Sequence, residues 1–248
     1  MARIERRIED VTLDSPTLVE GFPGVGLVGK IIVDQLIEQL GMTHYANVHC
    51  EGIPSVATYQ PDSSELVTPV RLYIDSDRQL LALQSDVPIN PAAAAAFADC
   101  VTGWVTEEDI LPVYISGLPR QRDEDAEGPA LYGVGTGGGT EQLATTDIDT
   151  PAEMGMVSGP TGALLSHALD NDTTAVGFIV ESDPQFPDPD AAKTVIEGGI
   201  EPIAGIDIET SDLTAKAAEI EQARKQLLKR MQQASEESSR AEPIRMYQ

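Results

Sequence analysis

Short apolar runs alternate with amphipathic stretches along most of the chain. The clearest apolar runs are PTLVE (16–20), LPVYISG (111–117) and TAVGFIVES (174–182). Between about Leu27 and Leu40, apolar residues recur every three or four positions, which predicts a helix, and Gly41 provides its stop. Strands that alternate with helices in this way predict an α/β fold with a parallel or mixed sheet covered on both faces.

The charge pattern divides the chain near residue 210. Residues 1–210 hold 35 acidic and 9 basic residues, whereas residues 211–248 hold 6 acidic and 7 basic residues. A heptad-like apolar stripe runs from Leu213 to Ala234 and predicts an amphipathic helix. We therefore expect an α/β domain over 1–210, a C-terminal helix over 211–235 and a flexible tail over 236–248.

The overall charge is strongly negative, with 41 acidic and 16 basic residues and a net charge of −25. Since 41% of the residues are hydrophobic and clearly periodic, we expect a folded protein rather than a disordered one. A carboxylate-rich surface suits concentrated salt, which screens its self-repulsion, and this points to a halophile. Without a basic stripe to neutralise phosphates, no nucleic-acid partner is expected.

Targeting and redox features indicate a cytoplasmic protein. The N-terminal segment MARIERRIED has no apolar core of a secretory signal, and the longest apolar run, PAAAAAFA, is too short to cross a membrane. Cys50 and Cys100 form no CxxC pair, so we expect two reduced thiols.

The segment VEGFPGVGLVGKII (19–32) matches parts of two phosphate-binding motifs. Gly24, Gly26 and Gly29 fit GxGxxG, and residues 24–30 fit GxxxxGK[ST] up to Lys30, after which Ile31 replaces the hydroxyl residue. Glu51 follows a second predicted strand, at the position where a dinucleotide-binding unit has the acidic residue that binds the ribose. The alternative is that the glycines only allow strand, turn and helix to approach closely, and this packing role is the favoured interpretation.

Candidate catalytic and metal-binding residues are lacking. His44 and His49 are five residues apart and share neither a helix face nor a strand face, so no metal pair is expected. Ser116 and Ser158 lack the GxSxG frame of a nucleophile elbow. No catalytic residue, metal site or cofactor is therefore assigned.

The C-terminus is chemically more distinctive. Met246, Tyr247 and Gln248 form a hydrophobic residue, a tyrosine and a final residue with a free carboxylate. Such an end can fill a pocket that carries a cation, with the aromatic ring packing at its mouth. These three residues are the candidate partner-binding site.

Taken in order, several segments resemble the proteasome assembly chaperone family, in particular the archaeal relatives of the second member of the eukaryotic chaperone pair. The segments are EGFPGVGLVGKIIVDQLIEQLG, SDVPIN, YISGLPR, VSGPTGALLSHALDNDTTAVGFIVES, FPDPDAAKTVIEGGI and GIDIETSDL. The resemblance covers roughly residues 10–235. It implies a mostly parallel sheet sandwiched between helices, and it implies homo-oligomers.

By this resemblance, Met246, Tyr247 and Gln248 are similar to the tail that proteasome activators and some of these chaperones insert between α subunits of the proteasome core. The resemblance implies a non-enzymatic chaperone or adaptor whose partners are the proteasome α subunits or core particle and copies of itself. A second possibility is an inert tail and assembly with another family member. The alternative of a different class is a small-molecule or nucleotide-binding α/β protein, ATP-grasp-like or another enzyme, that uses Gly24, Gly26, Gly29 and Lys30.

Overall fold

The structure is a computed structural model that describes residues 3–59, 63–120, 128–185 and 187–215. The expected C-terminal helix is described only at its start, where residues 213–215 are helical. Its remainder and the tail over 236–248, with Met246, Tyr247 and Gln248, lie outside the described residues.

Ten strands are present in these ranges. They are Arg3–Arg6 (β1), Thr17–Gly21 (β2), Thr43–His49 (β3), Thr58–Tyr59 (β4), Leu66–Val67 (β5), Val70–Asp75 (β6), Leu80–Ser85 (β7), Leu111–Pro119 (β8), Leu131–Thr136 (β9) and Ala175–Ser182 (β10). Eight of them form one sheet in the order β1-β3-β6-β7-β2-β8-β10-β9, and β4 pairs with β5 alone.

Six helices accompany the strands. They are Val28–Gln39 (α1), Ala94–Glu107 (α2), Gly139–Leu143 (α3), Gly159–Asp170 (α4), Pro189–Val195 (α5) and Glu201–Ala204 (α6). Short 3₁₀ turns at Val25–Leu27 and Pro91–Ala93 precede α1 and α2, and a π-helical turn at Ile196–Ile200 joins α5 to α6.

The sheet is mixed. Its centre, β7-β2-β8-β10, is parallel, whereas β1, β3, β6 and β9 pair antiparallel with their neighbours toward the two edges. The parallel centre follows from the crossover connections through α2 and α4, because parallel strands cannot be joined by a tight turn. The expected α/β class is thereby confirmed, with antiparallel strands added at the flanks.

Helices cover both faces, and the two cores are separated by the sheet. Along β2, Leu18 packs with α2 and α4, whereas the next residue, Val19, packs with α1 and α5. This alternation is the two-residue period of a strand. We call the side with α1 and α5 the α1 face and the side with α2 and α4 the α4 face.

The two cysteines are joined to each other and are not the two reduced thiols that the sequence predicted. Cys50 directly follows β3 and Cys100 lies in α2, and their sulfurs form a disulfide with a Cα–Cα distance of 6.2 Å. The prediction of two reduced thiols was wrong because their separation of 50 residues gives no information about proximity. The fold brings both into the core cluster on the α4 face.

None of the helices in the described part of the chain is both long and apolar enough to cross a bilayer.

Candidate functional site

The carboxyl ends of the four parallel strands meet at one edge of the sheet. The chain leaving β2 turns onto the α1 face through α1, whereas the chain leaving its parallel neighbour β7 crosses to β8 through α2 on the opposite face. Open α/β sheets bind ligands at such a topological switch point. This edge is therefore the candidate site, and the glycine loop after β2 forms part of it.

The glycine loop is packed tightly against the ends of β8 and β10. Gly26 has a φ of 62°, and a Cβ atom there would lie 1.8 Å from the Oγ of Ser182. A Cβ on Gly117 would lie 2.7 Å from the carbonyl oxygen of Val25, and Gly26 itself accepts a hydrogen bond from the amide of Asp188. The loop thus needs glycine for its backbone conformation and for close contact.

The other predicted ligand-binding residues are placed differently. A Cβ on Gly29 would lie 3.2 Å from the carbonyl oxygen of Glu20, whereas Gly24 has open space around it and lines a cleft. The Nζ of Lys30 lies 2.6 and 2.7 Å from the carboxylate oxygens of Asp34 and 3.6 Å from Asp86. The loop contacts and the paired Lys30 favour the packing interpretation of the glycines.

Glu51 does not fit the dinucleotide-binding arrangement. That arrangement takes its acidic residue from the strand beside the glycine loop. Here Glu51 follows β3, which β6 and β7 separate from β2.

Two alanine substitutions separate packing from ligand binding at this loop. We expect Gly26→Ala to lower the free energy of unfolding by about 2–3 kcal/mol, because it combines a left-handed backbone with a steric overlap. Gly24→Ala places a methyl group in open space on an extended backbone, so a change below about 0.5 kcal/mol is expected. Urea unfolding in molar KCl measures both. Nucleotide binding by the wild type that Gly24→Ala abolishes would contradict the packing interpretation.

A network of hydrogen bonds and ion pairs connects Lys30, in the helix that follows the loop, to the sheet. Arg71 on β6 is fully buried, and its guanidinium contacts Asp86 Oδ2 at 2.7 Å, Gln84 Oε1 at 2.6 Å and the hydroxyl of Tyr73 at 3.1 Å. Gln84 in turn donates from Nε2 to Asp34 Oδ1 at 2.7 Å. Every member is paired with another, so the network joins β6, β7 and α1 on the α1 face.

A buried carboxyl group sits at the end of β2 on the α4 face. Glu20 accepts hydrogen bonds from the backbone amides of Phe22 and Ile115, both at 3.1 Å, and from the hydroxyl of Thr161 in the first turn of α4. Burial raises the pKa of Glu20 from 4.5 to about 7, and the three hydrogen bonds lower it only in part. Glu20 thus ties the glycine loop, β8 and α4 together.

The raised pKa of Glu20 predicts a pH-dependent stability. Because the folded state holds this proton more tightly than the unfolded state, Glu20 contributes most below pH 4.5, and its contribution falls as the pH rises to about 7. Between pH 5 and pH 8, we expect the unfolding free energy of the wild type to fall by about 2–3 kcal/mol relative to that of Glu20→Gln. Urea titrations at both pH values test this. Glu65→Gln, at an exposed position outside the cleft, should keep the pH dependence of the wild type.

A cleft of about 1090 Å³ opens at this edge on the α4 face. Its floor comes from β8, β9 and β10, and its walls are the glycine loop, the segment after β7 and the segment 151–161 that leads into α4. Among the described lining residues, Arg120 is the one base and Glu153 the one acid, and Arg120 forms an ion pair with Glu181. The cleft is therefore largely apolar and has little charge of its own.

The cleft offers little for covalent or metal chemistry. Ser116 and Ser158 both line it, but none of the described lining residues is a histidine or a cysteine. No group of three or more metal-binding side chains occurs in the described parts of the chain. The apolar lining of the cleft suits the binding of an apolar partner.

Sequence reasoning missed the cleft, Glu20 and the Arg71 network. An acid at the end of an apolar strand, as in TLVEG, carries no sign of burial. The charged pair Arg71 and Asp86 is distinctive only after β6 and β7 are aligned side by side. The run of small and proline residues before α4 was the available signal for the cleft wall.

Comparisons with known proteins identify relatives over most of the chain. The model of the PAC2 family matches residues 18–228. An uncharacterized protein of Methanocaldococcus jannaschii is 26% identical over 221 residues, which is 88% of this chain and 87% of that protein.

Two solved structures from Pyrococcus furiosus share the fold. PbaA, described as an archaeal homolog of proteasome-assembly chaperone, aligns with a TM-score of 0.75 and 22% identity over 96% of this chain and 100% of its own. PbaB, described as an archaeal proteasome activator, aligns with a TM-score of 0.67 and 20% identity over 91% of this chain and 98% of its own. At these identities, the similarity establishes the fold.

Proposed function

This chain belongs to the PAC2 family, and we propose that it is a non-enzymatic chaperone or adaptor that binds the proteasome α ring through its C-terminal tail. The observation that carries the proposal is the sequence Met246-Tyr247-Gln248, a hydrophobic residue and a tyrosine followed by one more residue. The descriptions of PbaA as a chaperone homolog and of PbaB as a proteasome activator support it.

Charge favours the tail as the contacting segment. Residues 1–210 carry a net charge of −26, whereas residues 211–248 carry +1. A near-neutral tail approaches a partner without the repulsion that an acidic surface would meet from another acidic protein. Its terminal carboxylate is then free to pair with a cation in a pocket, and Tyr247 supplies apolar area and a hydroxyl.

Self-association would strengthen such a contact. Several weak tails on one homo-oligomer bind with higher combined affinity than one tail alone, because later tails bind at a high effective concentration. We propose that the chain works in this multivalent form in the cytoplasm of a halophile, with another family member as a further possible assembly partner.

The alternative function is the binding of a small molecule or nucleotide beside the glycine loop. The open space at Gly24 and its place in the cleft wall favour it. A phosphate site is not favoured, because Gly26 and Gly29 are occupied by close packing contacts and the ammonium of Lys30 is already paired with Asp34.

The tail proposal is tested by titrating proteasome core particle from the same organism with the wild type and three variants of the chain in molar KCl. Loss of residues 246–248 should abolish binding, and Tyr247→Ala should weaken it at least about 10-fold, because each tail of an oligomer is affected. Gln248→Ala retains a final residue with a carboxylate, so it is the matched control and should bind like the wild type. Equal binding by the truncated chain would place the contact on the folded domain.

A further inference from the structure

The segment between α3 and α4 exposes apolar side chains without cover from the rest of the described chain. Residues 151–156 are all exposed, and the relative exposures of Met154 and Met156 are 102% and 98%. The base of the segment is fixed, since a Cβ on Gly162 in α4 would lie 2.3 Å from the carbonyl oxygen of Val157. We call residues 151–157 the methionine ridge.

The ridge stands at the rim of the cleft, and both are depleted in charge. One residue in six of the whole chain is acidic, 41 of 248. Among the 27 described residues that line the cleft, ridge included, Glu153 is the one acid, and six of the chain's 17 prolines lie there. Leu118, 41% exposed at the end of β8, extends the apolar surface.

The geometry points to a second copy of this chain as the occupant of the cleft. We propose that the methionine ridge of one copy inserts into the cleft of another, so that the carboxyl edge of the sheet is a subunit interface. A projecting apolar segment beside an apolar cavity on the same surface is self-complementary, which is what association between identical chains requires. Methionine side chains are flexible enough to fill an irregular cavity.

The low charge of this surface favours contact between copies through it. Each chain has a net charge of −25, so two copies repel one another through most of their surface. Among the described residues, the lining of the cleft carries one exposed acid and one paired base, so contact through it avoids placing these like charges opposite each other. The large apolar side chains of the ridge then supply the favourable burial.

The inference rests on the self-association proposed above, and its test contains no proteasome, so its failure is distinguishable from failure of tail binding. The full chain and Met154→Asp/Met156→Asp are compared by sedimentation velocity over a concentration series in molar KCl. We expect the wild type to associate and the double variant to show an increase of at least about 100-fold in dissociation constant, since burial of each new carboxylate in the cleft is unfavourable.

Leu169→Asp is the matched control. Leu169 is 67% exposed near the C-terminal end of α4, away from the cleft, so its substitution adds a charge at another exposed apolar position. It should leave the dissociation constant within about 2-fold of the wild-type value. Unchanged association of the double variant, or a wild type that stays monomeric throughout, would overturn the proposal.

A second variant tests the part of the cleft outside the ridge. Leu118→Asp introduces a charge on the cleft side and leaves the ridge intact. We expect it to raise the dissociation constant at least about 10-fold, because the ridge of the other copy would meet a carboxylate in the cleft. A dissociation constant within about 2-fold of the wild-type value would show that the ridge does not enter the cleft. Circular dichroism of each variant confirms that the fold is retained.

Discussion

Asp86→Ala is expected to lower the free energy of unfolding by about 3–5 kcal/mol, because it removes the carboxylate closest to a fully buried guanidinium. Arg71 has no exposed side-chain surface, and its contact with Asp86 Oδ2 is 2.7 Å. Its other hydrogen-bond partners offer neutral oxygens only, and they are Gln84, Tyr73, the hydroxyl of Thr58 and the carbonyl of Thr68. The buried positive charge therefore loses the contact that compensates its removal from water.

The control for this prediction is an exposed ion pair. Lys193 and Glu197 are 53% and 47% exposed and lie 3.7 Å apart on successive helical turns. Lys193→Ala should change stability by no more than about 0.5 kcal/mol, as is usual for pairs of this kind. Urea unfolding of both variants in molar KCl gives the comparison, and similar losses for both would contradict the assigned role of the buried network.

Removal of the disulfide is expected to cost about 4 kcal/mol. The bond between Cys50 and Cys100 closes a loop of 50 residues, and in the chain-entropy model a loop of this length restricts the unfolded state by that amount. The double variant Cys50→Ser/Cys100→Ser should unfold at correspondingly lower urea concentration. Wild type treated with a reductant should behave like the double variant. If the oxidised wild type were no more stable than the double variant, the prediction would be contradicted.

Much of the fold follows from local pattern. The helix predicted between Leu27 and Leu40 is α1, and the expected stop at Gly41 has the left-handed φ of 59° that such a stop requires. The apolar runs LPVYISG (111–117) and TAVGFIVES (174–182) coincide with the buried strands β8 and β10. These elements are encoded by the period of apolar residues, which sequence displays directly.

Features set by non-local pairing could not be predicted in the same way. The charged segment Arg3–Arg6 forms β1 only because β3 presents a free edge, and neither its composition nor its period indicates a strand. The disulfide and the Arg71 network likewise depend on which strands become neighbours. For the site, sequence located the glycine loop, but only the close contacts of Gly26 with Ser182 explain its glycines as packing residues.

The most direct test of the central claim is whether this chain binds the proteasome at all. Sedimentation velocity of fluorescently labelled full-length chain with unlabelled core particle of the same organism, in molar KCl, would report the complex by its sedimentation coefficient. We predict that a fraction of the label cosediments with the core particle and that an excess of peptide ending in Met-Tyr-Gln displaces it. Label that sediments only at the rate of the free chain, at core particle concentrations of tens of micromolar, would contradict the account.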